Sequence, residues 1–323
     1  MTNITLPEQR VRRLTFYLAM EEYLARETTL DDCFFVWQVP PTVIFGRNQL
    51  IDSEVDIDYC RTHGIQTYRR KSGGGCVYAD MGNIMSSFVC RDENVGRTYN
   101  RYINMMLWAL HHMGIEAKAT GRNDILIDGR KVSGTAFYHL PGASIVHGTL
   151  LYDTQMEHMT ASITPSDAKL TSKGVSSVRQ HITLLKDHTT LSISEVMHVL
   201  TDRLCHGSLC LDAAAVERIG QIEQGYLTDT FIRGHNPRHT VVRKAHIEGV
   251  GDLEVNMEVR NDTIRDIRLI GDFLTPGQPE EIETRLRGTH LDPESLDKAL
   301  PHPLGDIILH LREEDLIRLI LNT

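Results

Sequence analysis

Three consecutive glycines, Gly73, Gly74 and Gly75, follow directly on Arg69, Arg70, Lys71 and Ser72. The run 65–68 before them has the apolar pattern of a short strand, and 85–89 after them reads the same way. A chain built like this turns sharply between two strands, because glycine bends without steric cost and brings backbone N–H groups close to a ligand. Successive N–H groups in such a turn form a concave anion site. Two arginines and a lysine beside them add charge suited to phosphate oxygens. The spacing is neither G-x-x-x-x-G-K-[ST] nor G-x-G-x-x-G. Taken alone, the segment is either an ordinary loop or an anion cradle.

The rest of the chain places this loop in an α+β protein. The spacing of Leu14, Leu18, Tyr23 and Leu24 predicts a helix over 11–27 that packs on a sheet. Runs 33–37 and 42–45, separated by Pro40-Pro41, read as short buried strands. An amphipathic helix is expected over 99–113, closed by Gly114. Asp128-Gly129 between two apolar runs predicts a hairpin, and 144–152 is the next strand. Ser192 to Glu195 has the capping-box pattern and opens a further helix. Around 234–240 the texture changes to that of a linker. Beyond it Leu253, Val255, Met257 and Val259 alternate with polar residues, turn at Asn261-Asp262 and return through Ile267 and Leu269. Two helices are expected after that hairpin, one opened by Asp292-Pro293-Glu294. This divides the chain into domains 1–235 and 236–323.

Composition narrows the function classes. The chain has 323 residues, 41% hydrophobic and 24% charged, with a net charge of -9. That length buries a full core without staples, and the balance gives no global basic field for nucleic acid. No apolar run is long enough to span a membrane, and Glu8, Arg10, Arg12 and Arg13 precede any apolar stretch. The expectation is a cytoplasmic protein with no membrane and no nucleic-acid partner. Six cysteines occur without a C-x-x-C pair. Cys205-His206 with Cys210 is either a metal clip or a set of ordinary thiols.

Three more segments carry groups fit for chemistry. Gly121-Arg122-Asn123-Asp124 leads into the hairpin that ends Lys131-Val132-Ser133-Gly134. Lys131 there is either a solvated edge charge or a ligand group. His147-Gly148-Thr149-Leu150-Leu151 places a histidine on a strand, as a structural residue or a ligand. Lys169, Lys173 and Arg179 with Gly174 form either a solvated face or a lid that closes on phosphate.

Taken in order, R-R-x-S-G-G-G-x-V-Y at 69–78, G-R-N-D-I-L-I-D-G-R-K-V-S-G at 121–134, H-G-T-L-L at 147–151 and K-L-x-S-K-G-V-x-S-V-R at 169–179 resemble the lipoate–protein ligase A family. The tail 240–274, ending Ile270-Gly271-Asp272-Phe273, is similar to that family's small C-terminal domain. The resemblance implies the mixed-sheet α+β fold of biotin and lipoate ligases, with a catalytic domain over 1–235 and a small α+β accessory domain over 236–323. It also implies a two-step reaction. Lipoate and ATP give lipoyl-AMP and pyrophosphate, with Mg2+ as the expected ion. A lysine of a lipoyl acceptor domain then takes the lipoyl group. Acceptors would be acyltransferase components of 2-oxoacid dehydrogenases and the H protein of glycine cleavage.

On the same footing, Arg70, Gly75, Cys76, Val77 and Tyr78 match the nucleotide-binding positions. Lys131 matches the lysine that contacts both phosphate and lipoyl carbonyl. Asn123 and Asp124 face the ribose or a magnesium ion, and Lys173 belongs to the loop that closes over the adenylate. Ser72, Gly73, Gly74, Ser133, Gly134, His147 and Gly148 border the lipoate.

The chain departs from the family at Cys76 and Lys71, where small residues are usual, and at Tyr17, where asparagine is common. The main rival is an octanoyltransferase, which shares the fold but uses a cysteine nucleophile and a carrier-protein thioester without ATP. No cysteine lies between Cys90 and Cys205, and Cys76 is the only one inside a site motif. Biotin ligase, whose basic glycine motif is written differently, and a binding protein without catalysis are the remaining alternatives.

Overall fold

The computed structural model describes residues 1–8, 10–120, 123–163, 181–234 and 239–322. The loop motif at 169–179, with Lys169, Lys173 and Arg179, lies outside these, as do Gly121, Arg122 and the linker segment 235–238. The strands in chain order are β1 (Thr2–Thr5), β2 (Asp32–Trp37), β3 (Thr42–Phe45), β4 (Gln66–Arg69), β5 (Val77–Ala79), β6 (Asn83–Cys90), β7 (Ala117–Ala119), β8 (Asp124–Ile127), β9 (Arg130–Leu140), β10 (Ala143–Leu151), β11 (Gly207–Cys210), β12 (Val241–Ile247), β13 (Gly251–Arg260) and β14 (Thr263–Gly271). The α-helices are α1 (Leu14–Glu27), α2 (Ile51–Glu54), α3 (Ile57–Thr62), α4 (Val95–His112), α5 (Met156–Ser162), α6 (Ile193–Leu204), α7 (Ala213–Tyr226), α8 (Asp229–Arg233), α9 (Pro279–Leu286), α10 (Pro293–Ala299) and α11 (Glu313–Leu321).

Eight strands form the main sheet in the order β11-β1-β2-β6-β10-β9-β8-β7. It is mixed: β1 runs parallel to β2 and β11, and the other neighbours are antiparallel. Strand alternation sorts its two faces. Cys33, Phe35 and Trp37 of β2 join Leu14, Leu18 and Leu24 of α1 and Ile219 of α7 in one core. Phe34, between them, joins Tyr102, Met106 and Leu110 of α4 and Leu200 of α6 on the other side. The helical spacing of 11–27 therefore does pack on a sheet.

Local signals worked where they were strong. Asp128 and Gly129 both take positive φ, 50° and 75°, as a two-residue hairpin turn demands. Gly114 closes α4 at φ 76°. Ser192 and Glu195 form the reciprocal capping box at the start of α6, an arrangement of the kind that stabilises a helix by about 1 kcal/mol.

A second sheet, β4-β3-β5, carries the glycine loop between β4 and β5. The third, β12-β13-β14, is the small C-terminal unit. Leu253, Val255 and Met257 point inward as expected, against Ile282, Leu286, Leu296 and Leu316. A β-bulge at Glu258/Val259 shifts the register there, and Val259, half-buried, still packs on the same core. One correction applies. Three α-helices follow the hairpin rather than two, because Pro279 and Glu313 each open one in addition to Pro293.

Candidate active site

A cavity of about 350 Å³ opens on the α1 side of the main sheet. Its apolar wall comes from Leu14 and Leu18 of α1, Trp37 of β2, Ile44 of β3, Met85 of β6 and Ala136 of β9. Register explains the grouping, since Trp37 pairs with Met85 and Ala136 pairs with His147 across neighbouring strands. Tyr17 stacks behind Trp37 with ring centroids 4.5 Å apart. Its side chain supports this wall. The polar wall comes from Arg70, Gly74, Gly75, Cys76, Val77, Asn123, Asp124, Lys131, His147 and Gly148. The C-terminal unit adds His246, Glu248, Gly249 and Asp272.

The glycine loop is held by one arginine. Arg70 is 5% exposed. Its guanidinium donates to Ser72 Oγ at 3.0 Å and to the carbonyls of Ile44, Gly73 and Gly75 at 3.2, 2.6 and 2.8 Å. These partners are all neutral. Burial pulls the guanidinium down to about 10, which leaves it a cation at neutral pH. Arg69 and Lys71 do not share this role. Arg69 is caged by carbonyls of Gly46, Arg47, Gln49, Ile232 and Arg233. Lys71 turns to Glu22, 2.5 Å away, and lies over the Tyr226 ring. Only one of the three cations read beside the glycines therefore lines the cavity. The other two fix neighbouring loops and helices.

Glycine is required in this loop by close approach. A Cβ on Gly73 would lie 2.5 Å from the Phe273 carbonyl oxygen. One on Gly46 would overlap the Gly74 carbonyl, and Gly74 itself has φ 86°.

Lys131 projects from β9 toward Asp124, with Nζ 2.7 Å from Oδ1. Gly134 leaves room for it, since a Cβ there would sit 2.9 Å from Nζ. Asp124 is 9% exposed, and His181 approaches its other oxygen at 3.9 Å. Gly148 plays a similar part on β10, where Tyr102 Oη fills the space a side chain would need.

Of the residues singled out in the sequence, Arg70, Gly74, Gly75, Cys76, Val77, Asn123, Asp124, Lys131, Gly134, His147 and Gly148 meet at this one cavity. Ser72, Gly73, Tyr78 and Ser133 are buried just behind its wall. Lys173 lies outside the described residues. Sequence reasoning missed the C-terminal wall, for which there was no local signal. It also missed Glu21, for which there was one. Glu21 sits three residues after Leu18 on the apolar stripe of α1, where a carboxylate is costly unless paired.

All six cysteines lie outside disulfide bonds. Among the described residues no three His, Cys, Asp or Glu side chains gather as a metal group, and no helix is long and apolar enough to cross a membrane.

A mixed sheet with helices on both faces, a separate three-stranded C-terminal unit and a cavity that is half apolar and half polar are features of the lipoyl ligase type of α+β enzyme. Residues 14–205 match the lipoyl protein ligase A/B catalytic domain, and residues 236–320 match the bacterial lipoate protein ligase C-terminus. The chain belongs to the lipoate–protein ligase family. Lipoate–protein ligase 1 of Staphylococcus aureus is 30% identical over 95% of this chain and 96% of its own length. Lipoate-protein ligase LplJ of Bacillus subtilis is 29% identical over 98% and 99%.

Solved structures share the fold. P. falciparum LipL1 in complex with lipoate matches 100% of this chain and 99% of its own with a TM-score of 0.78 and 18% identity. A bipartite lipoate protein ligase with its E2 lipoyl domain, from Thermoplasma acidophilum, matches 74% of this chain and 99% of its own at 0.64 and 24%. Lipoate-protein ligase A bound with ATP matches 71% of this chain and 97% of its own at 0.62 and 22%.

Proposed function

We propose that this chain is an ATP-dependent lipoate–protein ligase, with a catalytic domain over 1–235 and an accessory domain over 236–323. The observation that carries the reading is the single cavity that joins an apolar wall at Trp37 and Leu18 to Lys131 and the Arg70-held glycine loop. An apolar tail ending in a carboxylate fits the first part, and a polyphosphate fits the second. Relatives solved with lipoate and with ATP support both halves.

In the first step a lipoate carboxylate oxygen attacks the α-phosphorus of ATP. The bond to the bridging oxygen breaks, and pyrophosphate leaves. Negative charge gathers where Lys131, Arg70 and the N–H groups of Gly75, Cys76, Val77 and Tyr78 can oppose it, and fixed donors cost no reorganisation at that moment. In the second step an acceptor lysine, as the free amine, attacks the lipoyl carbonyl. The C–O bond to phosphate breaks, AMP leaves, and the amine gives up a proton. Lys131, next to both phosphate and carbonyl, stabilises each step. Ser72, Gly73, Gly74, Ser133, Gly134, His147 and Gly148 shape the lipoate side, and Asn123 serves the ribose. Lys173 belongs to the closing loop.

Asp124 offers one carboxylate. That donor set suits Mg2+ held mainly by phosphate oxygens and water, where it would offset polyphosphate charge. Acceptors are the E2 lipoyl domains of 2-oxoacid dehydrogenase complexes and the glycine cleavage H protein, and the setting is the cytoplasm. The test is pyrophosphate release from ATP and Mg2+ with and without lipoate. Release that requires lipoate is expected, and none in either case overturns the proposal.

One observation favours a second reading. Cys76 lines the same cavity as Lys131, the general location an octanoyltransferase nucleophile would need. Acyl transfer from a carrier-protein thioester without ATP, lost in Cys76→Ser, is its signature.

A further inference from the structure

Glu21 is fully buried beneath the cavity. Its carboxylate oxygens lie 3.0 and 3.1 Å from His147 Nδ1. His147 Nε2 lies 2.7 Å from Ser72 Oγ, and Ser72 Oγ lies 3.0 Å from Arg70 Nε. The chemistry of the groups fixes the two ends of this chain. Arg70 Nε–H only donates, and an ionised carboxylate only accepts. Ser72 Oγ therefore accepts from Arg70 and shares one proton with His147 Nε2, while His147 Nδ1–H donates to Glu21. The Nδ1 proton of His147 is thus assigned by its network.

The same carboxylate serves a second wall. Ser87 Oγ donates to Glu21 Oε1 at 2.6 Å and accepts from Trp37 Nε1 at 3.0 Å. One buried charge therefore orients Trp37 on the apolar side and Arg70 on the glycine loop. A serine–histidine–carboxylate trio also suggests a nucleophile. Ser72 does not suit that role, because it is fully buried and already holds the Arg70 guanidinium.

We infer that Glu21 is a positioning residue for the adenylation step: it fixes the Nδ1 proton of His147 and, through Ser72, the aim of Arg70 and the Gly73–Gly75 carbonyls that Arg70 gathers. The inference rests on the ligase reading above. Arg70 matters most while ATP is being cleaved and less once the adenylate exists. The effect therefore divides between the two half-reactions, whereas a general loss of packing slows both.

The test compares wild type, Glu21→Gln, Ser72→Ala and the double variant. Lipoate-dependent pyrophosphate release is measured in parallel with transfer from supplied lipoyl-AMP to an apo lipoyl domain. Glu21→Gln is expected to slow release about a hundredfold, as a displacement near 1 Å can, with transfer from supplied adenylate largely kept. Ser72→Ala breaks the relay without touching α1 and should give the same split. The double variant should be no worse than the single ones, as for residues acting in one chain.

Glu22→Gln is the comparison. That neighbour is also buried but holds Lys71 and Arg26 instead, so it should leave the ratio of the two half-reactions unchanged. Nitrogen-15 spectra of His147 should show a protonated Nδ1 in wild type and its loss in Glu21→Gln. Equal slowing of both half-reactions, or unchanged release with Nδ1 still protonated, overturns the inference. Absence of lipoate-dependent release in wild type would instead overturn the ligase reading.

Discussion

Gly74 and Phe273 meet backbone to backbone: the Gly74 N–H donates to the Phe273 carbonyl at 3.0 Å. They are separated by 199 residues, and the bond joins the glycine loop to the segment that follows β14. Two more contacts run beside it. The Gly271 N–H donates to the Asn48 carbonyl at 2.9 Å, and Arg47 pairs with Glu280 at 2.8 Å. The C-terminal unit thereby shapes the loop as well as supplying Asp272 and Glu248 to the cavity.

A methyl group at Gly73 tests this seam. Gly73→Ala places a Cβ 2.5 Å from the Phe273 oxygen, and the backbone there cannot yield cheaply. We expect a loss of about 1–3 kcal/mol, the range for overpacking a filled site, together with reduced pyrophosphate release. Gly207→Ala is the control, since nothing lies within 4 Å of its added carbon. Calorimetry on both variants decides it, and a Gly73→Ala protein as stable and active as the control would contradict the account.

Lys131→Ala removes the ammonium that faces Asp124. Under the ligase reading, lipoate-dependent pyrophosphate release falls about 10²–10³-fold, as when one donor to developing charge is deleted. Circular dichroism should stay that of the wild type, because the side chain lies at a cavity wall. Normal turnover in a folded Lys131→Ala protein would remove Lys131 from the site.

Much of this site was readable in the sequence because its pieces are local motifs. The glycine triplet, the Asp128-Gly129 turn and the strand histidine each announce a backbone requirement within a few residues. What stayed hidden depends on distant partners. Nothing near Lys71 says that its ammonium goes to Glu22, and nothing near Arg69 points to carbonyls at 46–49 and 232–233. Cations adjacent in sequence alternate between faces on leaving a strand, so three neighbours need not share one pocket. The β-bulge at Glu258/Val259 likewise follows from how β13 and β14 pair, not from either strand's pattern.

The thiols should react in an order set by burial. Burial pushes Cys33 up to about 12 and Cys60 up to about 11, so both stay protonated and shielded. Cys210 is exposed, and Cys76 is half-buried at the cavity. Alkylation mapped by mass spectrometry should mark Cys210 first and Cys76 next, with Cys33 and Cys60 silent until unfolding. ATP with lipoate should protect Cys76 and leave Cys210 unchanged. Early labelling of Cys33 in the native protein would contradict the core described here.

Acid should weaken the start of β2 at Asp32. Burial raises this carboxyl, but hydrogen bonds and charge from Arg101, 2.6 Å away, outweigh it and hold the group below its ordinary 3.8. A depressed carboxylate adds stability above its unfolded range and loses it as pH falls through the folded value. Wild type should therefore melt above Asp32→Asn at neutral pH, and the gap should close as pH falls below 3.8 and through the depressed folded value. A gap independent of pH would show that the ion pair is not its source.

The central claim is tested most directly by mass spectrometry of an apo lipoyl domain incubated with the full chain, lipoate and Mg2+, with and without ATP. An octanoyl carrier-protein thioester runs as a parallel donor. The account predicts a lipoyl adduct on one acceptor lysine that appears only with ATP. Acyl transfer from the thioester without ATP, and none from lipoate with it, would contradict it.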